Sequence, residues 1–170
     1  VMICLVVGAF NYAEIYANTE TDASATFETP VPTEPTTPLD PEDPSKELDP
    51  VEEGTGSIGF LTLDYVPSLT FDEQKITRES LEIESSSLKP FIQVSDMRGT
   101  GDGWHIQASL SPFVLTDGSH KLEDVQITMT NPVVKTNGKS DKYGPRANSK
   151  IVLTAENKGE SVDVALAPKD

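Results

Sequence analysis

The chain has 170 residues, with 28 acidic and 13 basic side chains and a formal net charge of −15. This length suits one domain of ordinary size, and the charge makes nucleic acid a poor partner because phosphates would be repelled rather than neutralised. The single cysteine, Cys4, excludes an intrachain disulfide and a cysteine-based zinc site.

The first segment, residues 1–17, has the pattern of the end of a secretory signal peptide. Residues 1–10 form an apolar run with one glycine, and small and polar residues follow as far as Ala17. The run is too short to span a bilayer as a helix, which takes about 20 apolar residues. No Met and no basic segment precede it, so we expect a signal-peptide remnant whose start is absent, cleaved after Ala17 or Ala13. The sequence therefore predicts a secreted protein without a transmembrane anchor.

Residues 18–53 are rich in proline, threonine and acidic side chains. Seven of the 13 prolines lie there, with Lys46 as the one base. Such a composition cannot bury enough apolar surface to offset chain entropy, and closely spaced prolines favour extended polyproline II. We expect a disordered acidic stalk without persistent hydrogen bonds, whose reach at ~3 Å per residue approaches roughly 100 Å.

Residues 54–170 alternate apolar and polar side chains with a period of two. Two such apolar faces are Leu61, Leu63 and Tyr65, and Trp104, Ile106, Ala108 and Leu110. Further alternating segments are residues 91–95, 125–129, 150–155 and 162–166, and turn formers lie at 99–103, 117–118, 137–138 and 158–159. Short alternating runs between turns are typical of strands, and no run of ten residues sustains a helical stripe. The predicted fold is all-β, a sandwich or barrel of short antiparallel strands.

The most distinctive stretch, residues 96–106, reads Asp-Met-Arg-Gly-Thr-Gly-Asp-Gly-Trp-His-Ile. It resembles the Asp-x-Arg-Gly-Thr-Gly-x-Gly-Trp-x-Leu element of the WxL domain, which occurs in surface proteins of Gram-positive bacteria. Residues 63–71 are similar to the opening strand of that domain, and the similarity covers roughly residues 54–170. Ile106 stands where the family has leucine, a volume-conserving change that a strand accepts.

The resemblance implies non-covalent attachment to the cell wall, with peptidoglycan or another wall polymer as partner and without catalysis. Other surface proteins are a second class of partner. The family carries another Trp-x-Leu element near its C-terminus, whereas Trp104 is the one tryptophan of this chain. We therefore expect a domain that is truncated at its C-terminal end.

Five residues are candidates for contact with the wall: Trp104, Arg98, Asp96, Thr100 and Asp102. The indole of Trp104 either stacks on a sugar or fills the core with the other apolar residues of its face. The guanidinium of Arg98 either grips a carboxylate or phosphate of the wall or pairs with Asp96, which shares its face. The glycines of residues 99–103 suit both a tight hairpin and close approach to a ligand. A locally basic tract, residues 135–146, either grips anionic wall polymers or is a solvated loop.

No metal site, cofactor or catalytic centre is predicted. Arg98 and Thr100 stand where a calcium-binding loop needs acidic or amide side chains, and His105 and His120 have no suitably spaced partner. A nucleophile elbow, a His-Glu-x-x-His element and a phosphate-binding loop are all missing from the sequence. The alternative function is an adhesin or protein-interaction domain that recognises a partner surface protein or host matrix through an exposed strand edge.

Overall fold

A computed structural model describes residues 24, 30–49, 52–75, 79–87, 89–136, 144–155 and 160–169. The predicted signal-peptide remnant lies outside these residues, as do the turn formers at 137–138 and 158–159. Throughout the part of the chain that the structure describes, no helix is long and apolar enough to cross a membrane.

The described residues form nine strands and no helix. The strands are β1 Leu61–Tyr65, β2 Gln93–Asp96, β3 Trp104–Ala108, β4 Phe113–Val114, β5 Lys121–Leu122, β6 Gln126–Thr130, β7 Arg146–Ala147, β8 Lys150–Thr154 and β9 Val162–Ala167. They pair antiparallel in four small sheets, with the orders β1-β2, β3-β9-β7, β4-β5 and β6-β8. The predicted all-β class with short antiparallel strands is confirmed.

The hydrophobic core lies where the β6-β8 sheet meets the β3-β9-β7 sheet. Its buried residues are Ile151 and Leu153 of β8 and Val164 of β9. The partly buried residues that pack against them are Ile106, Ala108, Leu110, Ile127, Met129, Val162 and Ala165. The period of two that the sequence shows in these strands turns their apolar side chains to one side, so two facing layers enclose the core.

Strand β1 differs from the prediction. The pairing register with β2 shifts between Leu63 and Tyr65, so Asp64 is an extra, bulged residue. A bulge brings two successive side chains to the same face, and Thr62, Asp64 and Tyr65 are all buried. Leu61 and Leu63 lie on the other face and are 39% and 37% exposed. The predicted face shared by Leu61, Leu63 and Tyr65 is therefore wrong, because the bulge breaks the alternation.

Part of the predicted stalk is also hydrogen-bonded. Leu39 and Glu47 form an antiparallel bridge, the Leu48 N–H donates to the Pro38 carbonyl at 2.9 Å, and Pro38 is buried. The expectation of no hydrogen-bonded structure over residues 18–53 thus differs from the structure at residues 38–48. Amino-acid composition indicates how much apolar surface a segment can bury. It does not indicate main-chain hydrogen bonds, and these hold residues 38–48. The division of the chain at residues 17 and 53 stays a prediction.

The core generates a direct test of the two-layer packing. Ile151 is 2% exposed and lies between the layers, so Ile151→Ala should lower the free energy of unfolding by about 2–5 kcal/mol through lost burial and a residual cavity. Val133→Ala is the control, because Val133 is 80% exposed and its truncation should change stability by less than about 0.5 kcal/mol. Chemical denaturation measures both, and equal losses would contradict this packing.

Candidate functional site

The candidate site is the loop between β2, which ends at Asp96, and β3, which begins at Trp104. Strand β2 pairs with β1 and β3 pairs with β9, so the loop carries the chain from one sheet to another. The hairpin interpretation of this glycine-rich segment is therefore wrong. The three loop glycines, at positions 99, 101 and 103, have φ angles of 64°, 68° and 68°. Glycine takes this left-handed conformation without the steric cost of a Cβ, which lets the chain change direction here.

Arg98 and Asp96 form a two-point ion pair at the start of the loop. The Arg98 Nε donates to Asp96 Oδ1 at 3.0 Å, and Nη2 donates to Oδ2 at 2.8 Å. The same Nη2 donates to the Gly103 carbonyl at 2.7 Å, across the base of the loop. We call this arrangement of Asp96, Arg98 and the Gly103 carbonyl the clasp. Of the two roles that the sequence leaves open for Arg98, the structure shows the ion pair.

The clasp shapes the electrostatics of the loop. The hydrogen bond from Arg98 lowers the pKa of Asp96 below its usual value, and partial burial opposes this less strongly. Asp96 in turn raises the pKa of Arg98, so both groups stay charged at neutral pH. The Asp96 and Arg98 side chains are 30% and 25% exposed, so most of the surface of the pair is shielded from solvent.

Thr100 and Asp102 lie on the exposed outer side of the loop. The Asp102 N–H donates to the Thr100 Oγ1 at 3.4 Å, and the Lys169 Nζ lies 3.2 Å from Asp102 Oδ1. Hydrogen bonds from the Thr100 side chain first and from Lys169 second lower the pKa of Asp102. The sequence did not identify Lys169, because it lies 67 positions after Asp102 and no local pattern links the two.

Trp104 lies at the start of β3, paired with Ala167 of β9. Ile106, Ala108 and Leu110 of the same face are partly buried and pack against the core, whereas Trp104, which is also partly buried, is not among the residues that pack there. Trp104 thus shares the predicted face with these residues without packing against the buried core.

Gly103 is held against the end of β9. A Cβ at this position would lie 2.5 Å from the Ala167 carbonyl oxygen and 2.9 Å from the Lys169 amide nitrogen, both of which are backbone atoms. Glycine is thus required here for close approach as well as for its positive φ. The motif that resembles the WxL element includes a glycine at this position. The contact of that glycine with β9 is seen only in the structure.

Two further sequence hypotheses concern metals and the basic tract. Within the described ranges no group of three or more His, Cys, Asp or Glu side chains is placed to hold a metal ion. Residues 137–143 of the basic tract lie outside the described part. At its start, the Lys135 Nζ donates to the Glu42 carbonyl at 3.2 Å.

The close approach of Gly103 predicts a difference between two loop glycines. Gly103→Ala and Gly99→Ala place alanine at nearly the same positive φ, which costs about 1–2 kcal/mol in each variant. At Gly99 nothing lies within 4 Å of the added Cβ, so only Gly103→Ala also meets backbone atoms. We expect Gly103→Ala to have the lower melting temperature. Equal melting temperatures would show that β9 does not press against the loop.

The clasp predicts a pH dependence. The folded pKa of Asp96 lies below its unfolded value of 3.8, so the carboxylate stabilises the folded state fully above that value and loses this effect as the pH falls through the folded pKa. Asp96→Asn should therefore be less stable than the unchanged protein at pH 7, and the gap in free energy of unfolding should narrow below about pH 4. Denaturation from pH 7 to pH 2 measures the gap, with exposed Glu84→Gln as the control variant. A gap that is independent of pH would rule out the ionised pair.

Comparison with known proteins identifies the family. A family model described as WxL domain, surface cell wall-binding, matches residues 14–170. Neither a curated protein nor a solved structure matches the chain. The match confirms the resemblance carried by residues 96–106 and the predicted location at the cell wall and outer surface, and the family is not an enzyme family. The chain belongs to the WxL family of surface cell wall-binding domains.

Proposed function

We propose that this domain binds peptidoglycan itself, with the exposed face of Trp104 stacked on a sugar ring and residues 99–102 beside it. The observation that carries the proposal is the position of Trp104, half buried at the start of β3, directly after residues 99–102 and outside the set of residues that pack on the core. A partly exposed large aromatic side chain suits an amphipathic ligand such as a glycan, since an indole can pack on the sugar's apolar face while its N–H stays available.

Thr100 and Asp102 supply the polar part of the proposed site. Both are exposed, and they lie in the loop that leads directly into Trp104. A hydroxyl and a carboxylate are acceptors for sugar hydroxyls, and the Asp102 pKa, already low, keeps that carboxylate ionised in the neutral range. Lys169, at 3.2 Å from Asp102, is a donor on the same edge of the site.

Asp96 and Arg98 have a positioning role in this proposal. The Arg98 fork already donates to both Asp96 oxygens and to the Gly103 carbonyl. A two-point grip on a stem-peptide carboxylate would have to displace one of these partners, because Nε and Nη2 are already engaged. We therefore assign the clasp to holding Gly103, and through it the adjoining Trp104, in place.

Charge favours an uncharged glycan over an anionic wall polymer as the ligand. The chain carries a net charge of −15, and a polymer of phosphates would be repelled over distances comparable to the screening length. Binding to an uncharged glycan through stacking and hydrogen bonds should depend only weakly on salt.

The domain acts by binding, without catalysis, in this proposal. Glycan cleavage needs a carboxylic acid with a raised pKa to protonate the leaving group. The loop carboxylates Asp96 and Asp102 both have lowered pKa values, because each accepts hydrogen bonds from neighbouring side chains. Neither is suited to that role.

Replacement of Trp104 tests the proposal. Trp104→Leu keeps an apolar side chain but removes the stacking face, and it should weaken binding to peptidoglycan stripped of protein and teichoic acid by about tenfold or more, which corresponds to ~1.4 kcal/mol. Phe113→Leu is the matched control, since Phe113 is an aromatic residue 40% exposed on β4, and its replacement should leave binding unchanged. Co-sedimentation with the stripped peptidoglycan measures all variants.

Trp104→Phe separates binding from folding. It retains an aromatic face and should keep most of the binding, whereas a purely structural role predicts that binding follows the melting temperature of each variant. If Trp104→Leu folds and binds like the unchanged protein, the contact lies elsewhere. If the domain sediments only with walls that still carry their proteins, the alternative of a protein-interaction domain is correct.

A further inference from the structure

The buried face of the β1-β2 sheet carries polar side chains beside Tyr65. Asp64 is only 2% exposed, and its carboxylate accepts hydrogen bonds from Thr62 Oγ1 and Ser95 Oγ, both at 2.6 Å, and from Gln93 Nε2 at 3.2 Å. All three donors are uncharged. Burying a carboxylate costs free energy unless it keeps such hydrogen bonds. The segment that covers this face therefore helps to keep the Asp64 hydrogen bonds in place.

The cover is a segment from the predicted stalk. The Gln93 amide on β2 accepts from the Leu39 N–H through Oε1 at 2.7 Å and donates to the Thr37 carbonyl through Nε2 at 3.2 Å. One side chain thus pairs with a donor and an acceptor two residues apart on an extended backbone. A neighbouring β-strand would make the same two hydrogen bonds with the main chain of this segment. Pro38 lies buried between the two contacts.

The following residues close this segment into a hydrogen-bonded loop. The Asp40 N–H donates to the Lys46 carbonyl and the Leu48 N–H to the Pro38 carbonyl, both at 2.9 Å. At the tip of the loop, Glu42 accepts from the Lys89 Nζ at 2.6 Å. The loop is therefore tied both to itself and to the chain just before β2.

The chain returns to the same face after the loop. A Cβ on Gly54 would lie 2.7 Å from the Asp64 carbonyl oxygen and 3.6 Å from the Pro38 ring. The Tyr65 hydroxyl donates to the Glu52 carboxylate, which raises the Tyr65 pKa to about 12. Both sides of the loop thus contact the polar face.

We infer that residues 37–48 are an integral strap of the domain, clamped by Gln93, and that this docking keeps Asp64 buried. The family match, over residues 14–170, includes the strap. The part of the predicted stalk that precedes the strap is then residues 18–36.

Hydrogen exchange on the full chain tests the strap. In the unchanged protein the amides of Leu39 and Leu48 should be protected, and Gln93→Ala should speed exchange across residues 37–48 by about tenfold or more. The matched control is Gln107→Ala, because Gln107 is also a strand glutamine whose amide donates to a carboxylate, that of Asp163 at 2.8 Å. It should leave exchange in the strap unchanged.

A second variant removes the other partner of the clamp. Leu39→Pro deletes the N–H that Gln93 accepts while leaving β2 intact, and Thr33→Pro adds a proline at an exposed upstream position as its control. Leu39→Pro should release the strap, and the amides of Ile151 and Leu153 report whether the core stays folded. Exchange of residues 37–48 at unstructured rates in the unchanged protein, or equal exchange in Gln93→Ala and Gln107→Ala, would overturn the inference.

Discussion

The backbone at Gly103 is the point on which the proposed wall-binding site depends. Its carbonyl accepts a hydrogen bond from Arg98, and its Cα lies so close to the end of β9 that no Cβ fits. These two contacts fix the place where the chain leaves the β1-β2 sheet and joins β9. They also fix the start of β3, and with it the orientation of Trp104 relative to the core. An aromatic side chain can present one face to a ligand reproducibly only if its backbone is held in this way.

The ion pair in the loop acts through geometry more than through its own energy. Surface ion pairs contribute little to stability, but a two-point pair between Arg98 and Asp96 fixes the plane of the guanidinium. That plane then directs one Nη2 hydrogen at the Gly103 carbonyl. The glycines therefore let the loop cross from one sheet to the other, while the clasp holds the two ends of the loop in place.

The sequence predicted those parts of the molecule that local patterns determine. Alternation in β6, β8 and β9 predicted the strands that enclose Ile151 and Leu153, and the spacing of Asp96 and Arg98 allowed their ion pair. The site residues were named from the motif, but the contact of Gly103 with β9 and the Asp102–Lys169 pair join distant parts of the chain. No periodicity reports contacts of that kind.

Prediction from the sequence was wrong where a polar interaction outweighed the apolar pattern. The bulge at Asp64 puts Tyr65 on the opposite face of β1 from Leu61 and Leu63, and the strap docks through main-chain groups that proline-rich composition does not reveal. Composition predicts the average behaviour of a segment, whereas one side chain such as Gln93 can order it.

The central claim is that the Trp104 indole contacts the glycan. Because Trp104 is the one tryptophan of the chain, its fluorescence reports on this position alone. Titration with soluble, purified peptidoglycan fragments should shift the indole emission to shorter wavelength and saturate at the concentration at which the fragments bind, since stacking removes water from the ring. Binding detected by calorimetry with an unchanged emission spectrum would contradict the claim and place the wall contact away from Trp104.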